Sequence, residues 1–517
     1  MAAAGRMNRG LRAFSRKHLL AGPEPVARRS LIRPFQHANL WRFCMTHTIL
    51  KTAALLAALA ALPVFAQYKP GPGEEPTPAA GLSAKDLQEI RSSLTLTPSL
   101  KATQNALADH MINDLAINRE KALANDNLFT HVIKNPGSIT DQARSGRCWL
   151  FAGLNILRPQ VMNKFNMKDF TLSQAYEDFW DKVERANRAL ELAVALSKEP
   201  LDSRKNMHLL KSPMDDGGDW NYVLGLVDKY GVVPQEVMPD TFSASHTDQM
   251  NNLLNTEVRK GVLELREAVQ KGEPASKIQQ IKMGTLGRVY KVLVLCMGEP
   301  PQSFQWRYEE KDGKVSPLKT YTPQSFYKEF VGSDLHDYEC FVNYPGKPMH
   351  ERLQWAWDRD MADHPDLTAV NITSEEMTDM AKASVLADQV VWFAADAGAQ
   401  GNRKAGLWAE GAEDYQDLFG LDFSMSKKEA LETLNGAPDH AMVFVGVDIQ
   451  NGKPDKWKVE NSWGKKAGQE GFFTIDQGWF DQHVYEIIVD KRFVPPAIQK
   501  LVDQKPYILP PWDPFGA

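Results

Sequence analysis

Apolar residues recur at helical spacing over much of the N-terminal two thirds of the chain. The pattern covers residues 84–124, 169–198 and 249–283, where apolar positions follow one another every three or four residues. Short apolar runs bounded by polar turns predict strands, most of them later in the chain: Arg288–Leu295, Leu367–Ile372, Gln389–Ala394, Ala441–Asp448, Trp457–Glu460 and Gly471–Ile475. The pattern predicts an α+β protein in which a mainly helical part is followed by an antiparallel sheet.

The front of the chain has a different pattern, one that is typical of a targeting segment. After Met45, Lys51 precedes an apolar run over residues 52–62, and the small residues Val64 and Ala66 suit a signal peptidase. The run is shorter than the ~18–20 residues that cross a bilayer. We therefore expect residues 45–66 to be a signal peptide, the protein to be exported to the periplasm or secreted, and the mature chain to have no membrane span.

Charge also divides the chain. Residues 1–66 carry ten Lys or Arg and one acid, so residues 67–517 are left with 50 basic and 64 acidic side chains. Such an acidic body is not expected to bind nucleic acid. We interpret residues 1–44 as an upstream basic segment that is not translated or is removed, residues 67–83 as a Pro/Gly-rich linker, and residues 84–517 as the folded domain.

The cysteines and motifs exclude several kinds of chemistry. Four cysteines are too few for a disulfide framework, and none has zinc-site spacing. Whether Cys296 and Cys340 pair with each other stays open. The sequence contains none of the motifs of nucleotide-dependent enzymes, zinc hydrolases or serine hydrolases, so we expect no metal and no cofactor.

One cysteine has surroundings that favour a nucleophile. Polar turn residues lead into Cys148, and an apolar segment that predicts a helix follows it. A thiol at a helix N-terminus faces the positive end of the helix dipole, which stabilises the thiolate. A small buried core residue is the commoner fate of a free cysteine, so this segment alone does not decide the matter.

Two later segments complete a reactive group. His440 opens an apolar strand, and Asn461 ends the next strand along the chain. In a hairpin of this length the two side chains can lie side by side, so that Asn461 orients the imidazole while Trp463 covers their hydrogen bond. Cysteine, histidine and asparagine together have the roles of an acyl-transfer triad.

These residues resemble the papain-like cysteine proteases, and among them the bleomycin hydrolase/aminopeptidase C branch. The motifs occur in the expected order: Gln142, Ser145-Gly146-Arg147-Cys148-Trp149, Asp439-His440-Ala441-Met442 and Val459-Glu460-Asn461-Ser462-Trp463-Gly464. Cys148 and His440 are 292 residues apart, against about 130–150 in ordinary papain-like enzymes. The resemblance implies a two-lobed papain-like fold, a helical lobe plus an antiparallel β-barrel-like lobe, with large helical insertions.

The resemblance also implies a role for each site residue. Cys148 would be the nucleophile, His440 the general base and then acid, Asn461 the orienting residue, and Gln142 an oxyanion-hole donor. Substrate binding would fall to Gly217, Gly218, Asp219, Trp463 and Ala517. The implied activity is that of a cysteine-type aminopeptidase that acts on peptides through a thioester acyl-enzyme, in a homohexamer that needs no cofactor. A cysteine endopeptidase, a peptide-amide hydrolase and a catalytically silent binding or scaffold protein are the alternatives.

Two positions depart from the branch. Asp219 stands where the branch more often has a neutral amide, which puts the charge preference of that subsite in doubt. In the branch, the C-terminal segment lies in the cleft and its carboxylate pairs with the free amine of the substrate. Here the arm that ends at Ala517 is a few residues shorter than expected, so we expect weaker discrimination against blocked or longer peptides.

Overall fold

The computed structural model of the protein describes residues 80–516. The upstream segment 1–44, the signal peptide 45–66, most of the linker and Ala517 lie outside the described residues, so these assignments stay predictions. The chain divides into two compact units, residues 1–95 and 96–517. The described part of the first contains helix α1 (Ala84–Ser92), which begins at a capping box formed by Ser83 and Asp86.

The second unit is helical over its N-terminal part, as the apolar periodicity predicts. Its helices are α2 (Pro98–Asp109), α3 (Ile112–Ala116), α4 (Arg119–Ala124), α5 (Cys148–Lys164), α6 (Gln174–Ala195), α7 (Arg204–Lys211), α8 (Trp220–Tyr230), α9 (Phe242–Ser245), α10 (Asp248–Gln270), α11 (Ala275–Met297), α12 (Pro323–Phe326), α13 (Ser374–Leu386), α14 (Tyr415–Phe419), α15 (Lys427–Glu432), α16 (Gln477–His483) and α17 (Pro496–Gln499). Among the described residues, no helix is both long and apolar enough to span a membrane.

The strands are β1 (His131–Val132), β2 (Phe304–Trp306), β3 (Lys319–Tyr321), β4 (Tyr338–Val342), β5 (Arg352–Trp355), β6 (Thr368–Asn371), β7 (Val391–Ala395), β8 (Gly401–Asn402), β9 (Leu407–Trp408), β10 (His440–Gln450), β11 (Lys453–Glu460), β12 (Phe472–Asp476), β13 (Val484–Asp490) and β14 (Tyr507–Leu509). One sheet runs in the order β14-β5-β6-β4-β13-β7-β10-β11-β12-β9-β8, with β1 paired to β10, and β2 and β3 form a separate ribbon.

The sheet differs from the purely antiparallel unit that the sequence predicts. Its centre, from β4 through β13, β7, β10 and β11 to β12, is antiparallel, whereas β12 with β9, β4 with β6 and β14 with β5 pair in parallel. Short strands after long connections form these parallel pairs, and such connections carry no local turn signal.

The predicted strand Arg288–Leu295 is wrong. The segment lies inside helix α11, whose buried residues Thr285, Val289, Leu293 and Met297 recur every four positions. The β-branched and aromatic residues of this segment favour a strand locally. Burial of one helical face against α10 and α6 overrides that preference.

Helix α5 is buried on nearly all sides, which sets the position of the candidate nucleophile. Its residues from Trp149 to Pro159 are all buried, and the helix packs between β10 on one side and α8 on the other. A helix that is apolar around its whole circumference belongs in a core. Cys148 therefore stands at the end of a central, fixed element, beside the strand that His440 opens.

Candidate active site

The turn before α5 is held by two carboxylates. Arg147 is fully buried, and its Nη1 donates to Asp240 at 2.9 Å. The backbone N–H of Gly146 donates to Asp216 Oδ2, also at 2.9 Å. Cys148 itself is only partly buried, so the turn fixes its backbone while its thiol faces the cleft at the positive end of the helix.

His440 and Asn461 lie side by side, as the hairpin length predicts. Nε2 of His440 is 2.9 Å from Oδ1 of Asn461, and both side chains are buried. Oδ1 also accepts the backbone N–H of Ser462 at 2.7 Å, which identifies that atom as the amide oxygen. Because an amide oxygen only accepts, Nε2 carries the ring proton, and Nδ1 is left with a free lone pair.

An aromatic ring covers this hydrogen bond. Trp463 stacks on the imidazole with ring centroids 4.7 Å apart and an interplanar angle of 26°. The guanidinium of Arg403 lies 3.8 Å from the centroid of the Trp463 ring and so adds a cation–π contact. Trp463 is not among the residues that line the cleft described below, so its position supports the shielding role given to it above rather than direct contact with substrate.

Gln142 is clamped next to the nucleophile turn. Its Nε2 donates to the carbonyl of Ser145 at 2.6 Å, and its Oε1 accepts from Ser462 Oγ at 2.6 Å. Its backbone N–H donates to the carbonyl of Ser462 at 2.8 Å. One N–H of the side-chain amide is left over, and Gln142 lines the same cleft as Cys148.

Burial moves the pKa values of the thiol and the imidazole apart. It raises the pKa of Cys148 to about 11, against hydrogen bonds from the N–H groups of Ala441 and Trp149 that lower it. It lowers the pKa of His440 to about 4, against the hydrogen bond to Asn461, which raises it. Burial therefore disfavours the charged form of each group, and the free lone pair on Nδ1 of His440 can accept the thiol proton during attack.

The thiol and the imidazole open onto one cleft with a volume of about 590 Å³. Gly217, Gly218 and Asp219 line this cleft together with Cys148 and His440. A cavity of this size is large enough to hold a ligand of the size of a short peptide.

The two glycines of the far wall differ. A Cβ on Gly217 would meet nothing within 4 Å, whereas a Cβ on Gly218 would lie 2.7 Å from the Trp149 ring. Gly217 therefore leaves the cleft open for an extended backbone, and Gly218 allows the wall to pack on the helix that carries Cys148. Arg185 donates to the carbonyl of Gly217 and so fixes the segment.

The C-terminal segment also reaches the cleft. Asp513 is buried and binds the hydroxyl of Tyr344 at 3.0 Å and Nζ of Lys347 at 3.2 Å. Phe515 stacks on Tyr344 and, together with Gly516, lines the cavity. Ala517 lies outside the described residues, so its predicted contact with a substrate amine stays a prediction.

A thiol at the N-terminus of a central helix, an imidazole on the facing sheet and a cleft between them define a papain-like cysteine peptidase. The profile of the Peptidase C1-like family matches residues 81–516. The chain belongs to this family and is a cysteine peptidase of the aminopeptidase C/bleomycin hydrolase type.

Relatives with assigned activities match along almost their whole length. Aminopeptidase C of Lactobacillus delbrueckii subsp. lactis is 35% identical over 441 residues, which cover 84% of this chain and 98% of the relative. Bleomycin hydrolase of Mus musculus is 35% identical over 450 residues, which cover 85% and 99%. The crystal structure of PepW from Lactobacillus rhamnosis superposes with a TM-score of 0.82 at 36% identity and covers 85% of this chain and 99% of PepW.

The structure brings Cys148, His440, Gln142, Gly217 and Asp219 to one cleft, with Asn461 and Trp463 behind the imidazole. Sequence reasoning missed three other residues near the site: Asp216, Arg403 and Asp358. Asp216 directly precedes the two glycines, a position that could have signalled its role. Arg403 and Asp358 come from connections with no local pattern.

Proposed function

We propose that this protein is a cysteine-type aminopeptidase that hydrolyses peptide bonds through Cys148, His440 and Asn461. The observation that carries the proposal is the hydrogen bond from His440 Nε2 to Asn461, which leaves Nδ1 unprotonated in the cleft that Cys148 shares. The relatives named aminopeptidase C support the exopeptidase assignment.

The reaction proceeds in two halves. Sγ of Cys148 attacks the substrate carbonyl carbon while its proton passes to Nδ1 of His440, and the spare N–H of Gln142 and the backbone N–H of Cys148 stabilise the oxyanion. The C–N bond breaks as the imidazolium protonates the leaving amine, which leaves a thioester on Cys148. Water then attacks the thioester with His440 as base, and the acid leaves with the thiol restored.

The test uses Cys148→Ala with a free-amine aminoacyl amide and its N-acetylated form. We expect the variant to lose hydrolysis of both while keeping its circular dichroism spectrum, because a small side chain at a partly exposed position leaves little cavity. The wild type should prefer the free amine and lose activity with a thiol-directed inhibitor. Near-normal turnover by the variant would refute the thiol mechanism, and a preference for the acetylated substrate would favour an endopeptidase.

We also propose export and assembly, which rest on the sequence pattern and the resemblance alone. Expression in a secreting host should give a mature N-terminus at Gln67 outside the cytoplasm, as read by N-terminal sequencing. A soluble cytoplasmic protein that still begins at Met1 or Met45 would refute the signal peptide. A homohexamer should elute at about six times the chain mass, with its active sites facing an inner channel.

A further inference from the structure

Two carboxyl groups from distant parts of the chain meet in the cleft. Asp219 stands directly before α8, and Asp358 lies in the connection after β5. Both line the cavity that contains Cys148, and they are close enough that each carboxyl shifts the pKa of the other.

Asp219 occupies a position at which an aspartate side chain usually caps the N-terminus of the helix. It is the N-cap residue of α8, yet its side chain makes no capping hydrogen bond. Oδ1 of Asp358 accepts a hydrogen bond from the hydroxyl of Tyr222 at 2.7 Å. Oδ2 of Asp358 would lie 3.2 Å from a Cβ added to Gly516. The pair therefore faces the part of the cleft where the described C-terminal segment ends.

The position of the pair relative to the nucleophile points to the substrate. The scissile carbonyl carbon must lie at Sγ of Cys148, and an extended chain advances about 3.3 Å per residue. Asp219 directly follows Gly217 and Gly218 along the cleft wall, and its charge is close enough to contribute to the raised pKa of the Cys148 thiol. A peptide bound with its scissile carbonyl at Cys148 therefore lies in the same cavity as the pair.

The pair lacks a cationic partner. Among the described residues, neither carboxyl forms a salt bridge; the nearby Arg185 is engaged by Asp181 and Asp215, and Arg188 donates to the carbonyl of Trp357. Burial, and then the neighbouring carboxyl, raise the pKa of Asp219 well above its usual range, and burial raises that of Asp358 to about 6. A cation that entered the cleft would stabilise the charged form of both carboxyl groups.

We propose, on the basis of the peptidase function above, that Asp219 and Asp358 form a subsite that binds the ammonium group of a peptide substrate beside Cys148. The ammonium group is either the free N-terminus of the substrate or the side chain of a lysine that precedes the residue whose carbonyl is attacked. The subsite is built from side chains, so it acts in addition to any contact with the terminal carboxylate.

The experiment measures KM and kcat of the full chain and of its Asp219→Asn and Asp358→Asn variants on two pairs of fluorogenic substrates. The first pair is an alanyl amide with a free or acetylated amine. The second is an N-acetylated dipeptidyl amide with lysine or norleucine as its first residue. We expect each variant to raise KM at least tenfold for the ammonium-bearing member of one pair, with kcat within about twofold and KM of its neutral partner unchanged.

The affected pair identifies the source of the ammonium. Equal changes for charged and neutral substrates, or no change in KM, would overturn the subsite. Asp379→Asn is the matched control, since Asp379 is an exposed carboxylate on α13 paired with Lys382, and it should leave all four KM values unchanged. Wild-type hydrolysis that a thiol-directed inhibitor abolishes keeps the peptidase assignment separate, because it holds whether or not the variants respond.

A wild-type measurement covers the case in which a variant does not fold. The other charged groups near the pair are Arg185, Arg188, Glu486 and Asp366. KM for the preferred ammonium substrate should rise several-fold from about pH 7.5 to about pH 5, because the carboxyls then keep their proton while the substrate amine stays charged. KM for its neutral partner should stay flat over the same range. Equal pH dependence for both substrates would overturn the subsite.

Discussion

Two contacts restrain the imidazole of His440, and removing one of them gives a quantitative test of the site. Asn461→Ala deletes the 2.9 Å hydrogen bond that Nε2 of His440 donates to Asn461 but leaves the Trp463 ring stacked on His440. The imidazole then keeps its place against the ring but gains freedom to rotate about its bonds. We expect a partial loss of activity, smaller than the loss in Cys148→Ala.

The magnitude follows from the burial of both partners. A buried hydrogen bond whose loss leaves a polar atom unpaired is worth about 1–3 kcal/mol. At about 1.4 kcal/mol per tenfold change in rate, kcat/KM should fall roughly 5- to 150-fold. Loss of the ring stack in Trp463→Ala should raise the activation free energy for kcat/KM by about 0.5–1.5 kcal/mol. With both restraints gone, the double variant should lose more than the product of the single effects.

The assay compares kcat/KM across pH for the wild type, Asn461→Ala and Asn461→Asp. Asn461 raises the pKa of His440 against the effect of burial, so its loss should move the acid limb to lower pH. The aspartate keeps an acceptor for Nε2 and should restore part of the rate. Unchanged kcat/KM in Asn461→Ala would remove Asn461 from the site. An unmoved acid limb would refute attack by a neutral pair, because in a resting ion pair the imidazolium that Asn461 stabilises is present on both sides of that titration.

Two further predictions concern the cleft wall. Asp216→Asn should lower the free energy of unfolding by about 3 kcal/mol at pH 7, because it removes the 2.8 Å ion pair of the fully buried Lys182 and leaves only Asp178, 4.0 Å away, as its charged partner. Burial alone would raise the pKa of Asp216, but Lys182 and the N–H of Gly146 together lower that pKa by more, so the net shift is downward. This stability is complete above the unfolded pKa near 4 and is lost progressively as the pH falls from there through the lowered folded pKa. Urea titrations should therefore show the full difference at pH 7 and a smaller one near pH 3, and an equal difference at both would contradict the reasoning. Gly218→Ala should destabilise the fold by about 1–3 kcal/mol, because the added Cβ clashes with the Trp149 ring. A Cβ at Gly217 has open space, so Gly217→Ala should keep the melting temperature of the wild type and raise KM. The reverse pattern would be inconsistent with the packing of this wall.

The sequence predicts the positions of Cys148, His440 and Asn461 well because each is tied to a local signal. Cys148 opens an apolar helix, and His440 and Asn461 belong to adjacent strands joined by a short turn, so their meeting depends on few long-range contacts. Prediction from local sequence fails where local preference and packing disagree. Arg288–Leu295 is rich in β-branched residues that favour a strand, but burial of one face keeps the segment in a helix.

The parts that could not be predicted depend on long connections. Asp358 meets Asp219 across 139 residues, and Arg403 reaches Trp463 across 60 residues. Both residues come from loops whose course is set by the sheet rather than by their own sequence. The sequence does mark Asp219 as unusual, but only the fold supplies its partner.

The inserted helices help to build the site rather than merely extend the chain. Asp216 receives hydrogen bonds from Gly146 of the nucleophile turn and from Lys182 of α6. It also accepts from Thr247 and from Asn251, which lie at the start of α10, a helix in the segment that separates Cys148 from His440. A single carboxylate thus joins the turn that carries the thiol, the wall that faces the substrate and an inserted helix. Because its partners include the backbone N–H two residues before Cys148, a change that shifts α10 should move Cys148 relative to Gly217, and mutations in this insertion should alter KM and kcat together.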